Sequence, residues 1–118
     1  MTEYLMLFRN ASAPDGYLAT AADTAEDMPQ WQSWIGQIAM QGKLISTAPI
    51  RYDASLVTKT TVQEGQPHKE ANQVLVSGFL LCKSDDLAEV QAWAQTCPIL
   101  KYPLSEVEIR PLVPFPMG

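Results

Sequence analysis

Two runs, residues 4–8 and 74–82, are apolar at most consecutive positions. A strand with one wet face alternates between apolar and polar residues, whereas a strand covered on both faces reads as a nearly continuous apolar run. Both runs therefore predict central strands that need a cover on each side. Residues 74–82 form the most apolar stretch in the chain, and Gly78 within it predicts a bulge or a close backbone approach.

One cover comes from helices. Residues 27–41 place Trp31, Trp34, Ile35 and Ile38 on one stripe, with Asp27 as cap, Pro29 in the first turn and Gly42 as the stop. A second helix starts at Ser84 as cap, with Asp85 and Asp86 on the positive end of its dipole. Leu87, Val90, Ala94 and Cys97 line its inner face, Trp93 flanks it, and Pro98 ends it. Residues 44–48, 55–63 and 107–112 read as further strands, the second because Val and Thr favour extended backbone. Residues 10–25 and 64–68 read as a long loop and a turn. Long structureless loops are uncommon in compact domains, so 10–25 is either functional or a loose surface segment.

The resulting order, β-α-β-(ββ)-α-β, predicts an α+β fold. Its simplest solution is a ferredoxin-like sandwich with an antiparallel sheet and an extra hairpin, spanning residues 1–118 as one domain. Helices on one face leave the second apolar face of the sheet bare. A second copy is the expected cover, giving a homodimer with the sheets at the interface. The tail, residues 113–118, is either disordered or an arm on a partner subunit.

The net charge of −5 repels phosphate backbones and anionic membranes, so neither nucleic acid nor membrane is expected as a partner. No segment has the basic flank and apolar core of an export signal, and none approaches a membrane span. Cys82 and Cys97 form no close-spaced motif and are expected as reduced thiols in a cytoplasmic protein.

Candidate chemistry is sparse. His68 is the sole histidine, with Glu70 two residues on, and reads either as an acid–base group or as a solvated loop residue. Cys97 reads as a nucleophile or as packing, and packing is favoured because the carboxyl end of a helix opposes a thiolate. Cys82 reads as packing. Trp31 and Trp34 share a helix face and could wall a pocket for an aromatic ligand or simply fill the core. Arg51 and Tyr52 could add a charge and a hydroxyl at a pocket mouth, or be a surface pair. One histidine and two distant cysteines do not make a metal site. There is no phosphate loop, nucleophile elbow or nucleotide fingerprint, so no cofactor is expected.

Several segments, in order, resemble the YCII-related (DGPF-type) family. Trp31-Gln32-Ser33-Trp34-Ile35 and Gln41-Gly42-Lys43-Leu44 resemble its first helix and second strand. Pro67-His68-Lys69-Glu70-Ala71, Gly78-Phe79-Leu80-Leu81 and Asp85-Asp86-Leu87 resemble later segments, as do Ala92-Trp93-Ala94, Cys97-Pro98 and Val107-Glu108-Ile109-Arg110-Pro111. The resemblance implies a dimeric α/β barrel of two ferredoxin-like units, with a pocket in each subunit between the helices, the long first loop and the sheet. In better understood members a His–Asp pair lies in that pocket, and one relative is a dehydrochlorinase acting on a chlorinated hydroxyquinol. Here the histidine position falls on Trp31, the aspartate position on Cys97, and the Asp-Gly of the family tetrapeptide on Gly65-Gln66. The family's acid–base chemistry is therefore not carried over.

Three classes of function remain open. The first is a small-molecule-binding dimer whose pocket draws on Trp31, Trp34, His68, Glu70 and Cys97. The second is an enzyme with weak lyase activity on a small aromatic substrate. The third is a protein–protein interaction or regulatory module.

Overall fold

The computed structural model describes residues 1–12, 14–65 and 73–116. Strand β1 (Thr2–Ala11) leads through a short helix α1 (Ala21–Glu26) into α2 (Met28–Met40) and β2 (Leu44–Pro49). A hairpin, β3 (Ala54–Val57) and β4 (Val62–Gly65), precedes β5 (Val74–Ser84). Helix α3 (Leu87–Gln95), a 3-10 helix (Pro98–Lys101) and β6 (Glu106–Pro111) complete the order.

The four long strands form one sheet in the order β2-β5-β1-β6, and every neighbouring pair is antiparallel. The two apolar runs, β1 and β5, are the two central strands. This is the ferredoxin-like arrangement, in which each helix joins two strands separated by a third. The bulge expected near Gly78 is present: Phe8 pairs with Gly78 and Arg9 with Val76, leaving Ser77 unpaired. The approach there is also close, since a Cβ on Gly78 would lie 3.0 Å from the Phe8 ring and 3.1 Å from the Ala48 carbonyl oxygen.

One face of the sheet, carrying Tyr4, Met6, Phe8, Leu80 and Cys82, packs on Trp34 and Ile38 of α2 and on Val90 and Ala94 of α3. Met6, Ile38, Leu80 and Val90 are fully buried, each contributing about 1.5–3 kcal/mol of transfer energy. Helix α2 stops where Gly42 adopts φ +70°, a conformation that favours glycine, and Lys43 N–H returns to the Ile38 carbonyl oxygen.

Several expectations need correction. The loop of residues 10–25 contains most of α1, started by a reciprocal capping box between Thr20 and Asp23. The single strand expected over 55–63 is the β3–β4 hairpin. Thr58 N–H reaches the Thr61 carbonyl oxygen at 2.8 Å, and Thr61 N–H reaches Thr58 Oγ1 at 3.0 Å. Threonine hydroxyls there compete with the ladder and make the turn. Asp86, not Ser84, caps α3, accepting from Ala88 N–H at 2.9 Å, while Ser84 hydrogen-bonds Asp86 and Glu89. Leu87 is exposed rather than inward. Asp27 stands at the start of α2, but its carboxylate makes no cap there.

Among the described residues no helix packs on the opposite face of the sheet, and its Leu5, Leu7, Phe79 and Leu81 are half-buried. Leu5 pairs across with Leu81, and Leu7 with Phe79. Beside them Arg9 meets Glu108 at 3.2 Å and Glu106 at 3.8 Å, and Arg110 meets Glu108 at 3.1 Å. Among the described residues no helix is long and apolar enough to cross a membrane.

Candidate functional site

A cavity of about 500 Å³ lies between α2 and the helix-facing side of the sheet. Phe8, Trp31, Ile35, Met28, Pro49 and Ile99 supply its apolar walls. The Trp31 ring lies 5.2 Å from Phe8 and 5.8 Å from Trp34, tilted and edge-on respectively, as aromatic quadrupoles prefer. This cluster fixes the orientation of Trp31 against the cavity. Gly78 opens the floor, because a side chain there would run into Phe8 and β2.

The outer wall is α1 and the residue before it. The Tyr52 hydroxyl donates to the Ala19 carbonyl oxygen at 2.7 Å and lies 3.3 Å from Asn10 Oδ1. Burial pushes the Tyr52 phenol up to about 12, so it remains a neutral hydroxyl. The Asp23 carboxylate accepts from Tyr17 at 2.7 Å and from Thr20 N–H at 2.8 Å. Those two bonds, with the Thr20 backbone contact the larger, hold its pKa below the ordinary range. Tyr17 then stacks on Tyr102, with centroids 5.4 Å apart and planes 17° apart. The loop is thereby tied to the fold through Tyr52 and Tyr102 and braced internally by Asp23.

A second, more open groove runs along the other side of α2, between it and the 3-10 helix. Trp34, Gln30, Ser33, Gln37, Cys97 and Lys101 line it. At its end the buried Asp27 carboxylate accepts from both Lys101 and Tyr102. The Lys101 hydrogen bond, then that of Tyr102, holds the Asp27 carboxyl below the ordinary range.

The residues expected to form one site divide between these places. Trp31 lines the cavity. Trp34 is 4% exposed and lines the groove, with its indole N–H on the Trp93 carbonyl oxygen. Cys97 lies beyond the end of α3, at the start of the 3-10 helix, rather than on α3. Burial pushes its thiol up to about 12 and that of Cys82 up to about 11, so burial, not the helix dipole, suppresses the thiolate. His68 and Glu70 lie outside the described residues. Arg51 and Tyr52 both line the cavity, Arg51 at its mouth in an ion pair with Asp53 at 2.9 Å. Sequence reasoning gave no role to Asn10, Thr20, Asp23 or Tyr102. The Thr20-x-x-Asp23 spacing was a readable signal for the capped wall helix.

No curated protein matches the chain by sequence. The family model of the YCII-related domain matches residues 5–116, which takes in the sheet except the first three residues of β1, the helices, and the lining of the cavity and the groove. The chain belongs to the YCII-related family.

Proposed function

We propose that this protein binds a small molecule in the cavity between α2 and the sheet, and that it does so as a homodimer. The cavity carries the reading. Its volume of about 500 Å³ falls within the range of small-molecule sites, and its walls are apolar with a few polar groups, as such sites usually are. Trp31 is the key wall residue, because Phe8 and Trp34 hold its ring in place while one side remains open. The helix-free sheet face supports the dimer: Leu5, Leu7, Phe79 and Leu81 form an apolar centre flanked by the charges of Arg9, Glu106, Glu108 and Arg110. An apolar centre with a polar rim is what a protein interface needs.

The test is a thermal-shift screen of the purified protein against small aromatic compounds and common metabolites. A ligand at a hundred times its dissociation constant adds about 2.7 kcal/mol of stability. A hit is expected to vanish in Trp31→Ala and to survive in a variant of the outlying hairpin such as Val57→Thr. A flat screen on folded protein would remove the reading.

A further inference from the structure

The hydroxyl groups on the cavity wall are already committed as donors. Thr20 donates to Asp23 at 2.9 Å and keeps one lone pair beside the one that accepts from Asp23 N–H at 3.1 Å; Thr24 donates to the Thr20 carbonyl oxygen at 3.2 Å, and Thr47 to the Phe79 carbonyl oxygen at 2.7 Å. Ser77 donates to the Phe8 carbonyl oxygen at 3.3 Å. All four residues line the cavity. A hydroxyl has one proton and two lone pairs, so a hydroxyl that has given its proton to the protein meets a ligand as an acceptor.

The charges point the same way. Asp23 holds the start of α1 through Thr20 N–H, so the amide that would otherwise attract an anion there already has a carboxylate. Among the described residues the cationic lining residue is Arg51, whose side chain is 88% exposed and paired with Asp53, where solvent screening leaves it little pull on a buried group. The amide nitrogen of Asn10 has no acceptor among the described residues, but Asn10 is fully buried and is not among the residues that line the cavity. The indole of Trp31 is a neutral donor, too weak by itself to stabilise a desolvated carboxylate. Among the described residues no carboxylate lines the cavity either, so a full cation would meet no carboxylate partner there.

We infer that the cavity selects an uncharged, ring-sized apolar molecule carrying a hydroxyl or N–H group, and rejects carboxylates and phosphates. This rests on the cavity being the binding site. The donor of such a ligand meets the lone pairs of the wall hydroxyls, while its body packs on Trp31, Phe8 and Ile35.

Three probes of one skeleton separate the possibilities: 2-naphthylmethanol, 2-methoxynaphthalene and 2-naphthoate, each titrated by calorimetry at pH 7.5. The alcohol is expected to bind about tenfold more tightly than the ether, the worth of one hydrogen bond at 1.4 kcal/mol per decade, and the naphthoate to give no heat of binding. Ala25→Trp, which adds bulk on the exposed outer wall, is expected to abolish binding of the alcohol. Naphthoate binding as tightly as the alcohol, with the same loss in Ala25→Trp, overturns the selectivity while leaving the cavity as the site. Binding that Ala25→Trp does not weaken, or no binding by any probe, overturns both.

Discussion

The indole N–H of Trp34 donates to the carbonyl oxygen of Trp93 at 2.8 Å, joining α2 to α3 through a side chain that is 4% exposed. That bond separates the two tryptophans of the stripe. Trp34 is committed to packing between the helices, whereas Trp31, one turn away, keeps an open side toward the cavity. Trp34→Ala is expected to cost about 3–5 kcal/mol by urea denaturation, as a buried aromatic truncation does. Trp34→Phe keeps most of the volume but leaves the Trp93 carbonyl without the indole donor, at about 1–3 kcal/mol. Equal losses in the two variants would show that the hydrogen bond, not the volume, dominates.

Asp27 anchors the start of α2 to the far end of the chain through Lys101 and Tyr102. Its pKa is held down chiefly by the Lys101 hydrogen bond, then by that of Tyr102. A carboxyl lowered on folding contributes stability that is complete above its unfolded value, about 3.9, and is lost as pH falls through the lower folded value. Melting temperature should therefore decline below about pH 4, and less steeply in Asp27→Asn. Asp23 and Glu89 are lowered too, by Thr20 N–H and by Lys43 first, so part of the acid slope should survive the substitution.

Burial raises both thiols, to about 12 for Cys97 and about 11 for Cys82. At pH 8 each is then a thiolate in about one molecule in a thousand or fewer. Native protein should resist a thiol-specific disulfide reagent for hours, while protein in denaturant should label at both positions at once. Rapid native labelling of Cys97 would contradict the buried placement and revive it as a nucleophile.

The sheet was legible because its central strands carry apolar residues on both faces, a pattern that local sequence shows directly. The stripe of α2 was legible for the same reason. What escaped were features decided by partners far along the chain or by side chains with two uses. Asp27 reads as a cap, yet Lys101 and Tyr102 claim its carboxylate from more than seventy positions away. Threonines 58 and 61 read as strand formers, yet their hydroxyls close a turn. Helix α1 has no buried residue and hence no apolar period, so only its capping box announced it. Trp31 and Tyr52 read as candidate pocket residues and both line the cavity, but Thr20, which no spacing connects to either, also belongs to the polar part of the wall.

The helix-free face of the sheet yields the last prediction. Leu5, Leu7, Phe79 and Leu81 sit at the centre of the two middle strands, opposite the helices. A polar face would solvate itself, whereas this one leaves half-buried apolar carbon beside the ion pairs that Arg9 and Arg110 make with Glu108 of β6. Twofold pairing buries the centre against its own copy and leaves the charges at the rim, where solvent still screens them. Light scattering at micromolar concentration should give twice the chain mass of 13.0 kDa. Leu7→Asp should return the single-chain mass, because the new carboxylates would be buried without partners across the interface. Folding of that variant can be checked by the Trp34 environment in near-ultraviolet dichroism, since Leu7 faces away from the helices. A wild-type chain that runs as a monomer under these conditions would leave the apolar centre without its second copy and sink the dimer.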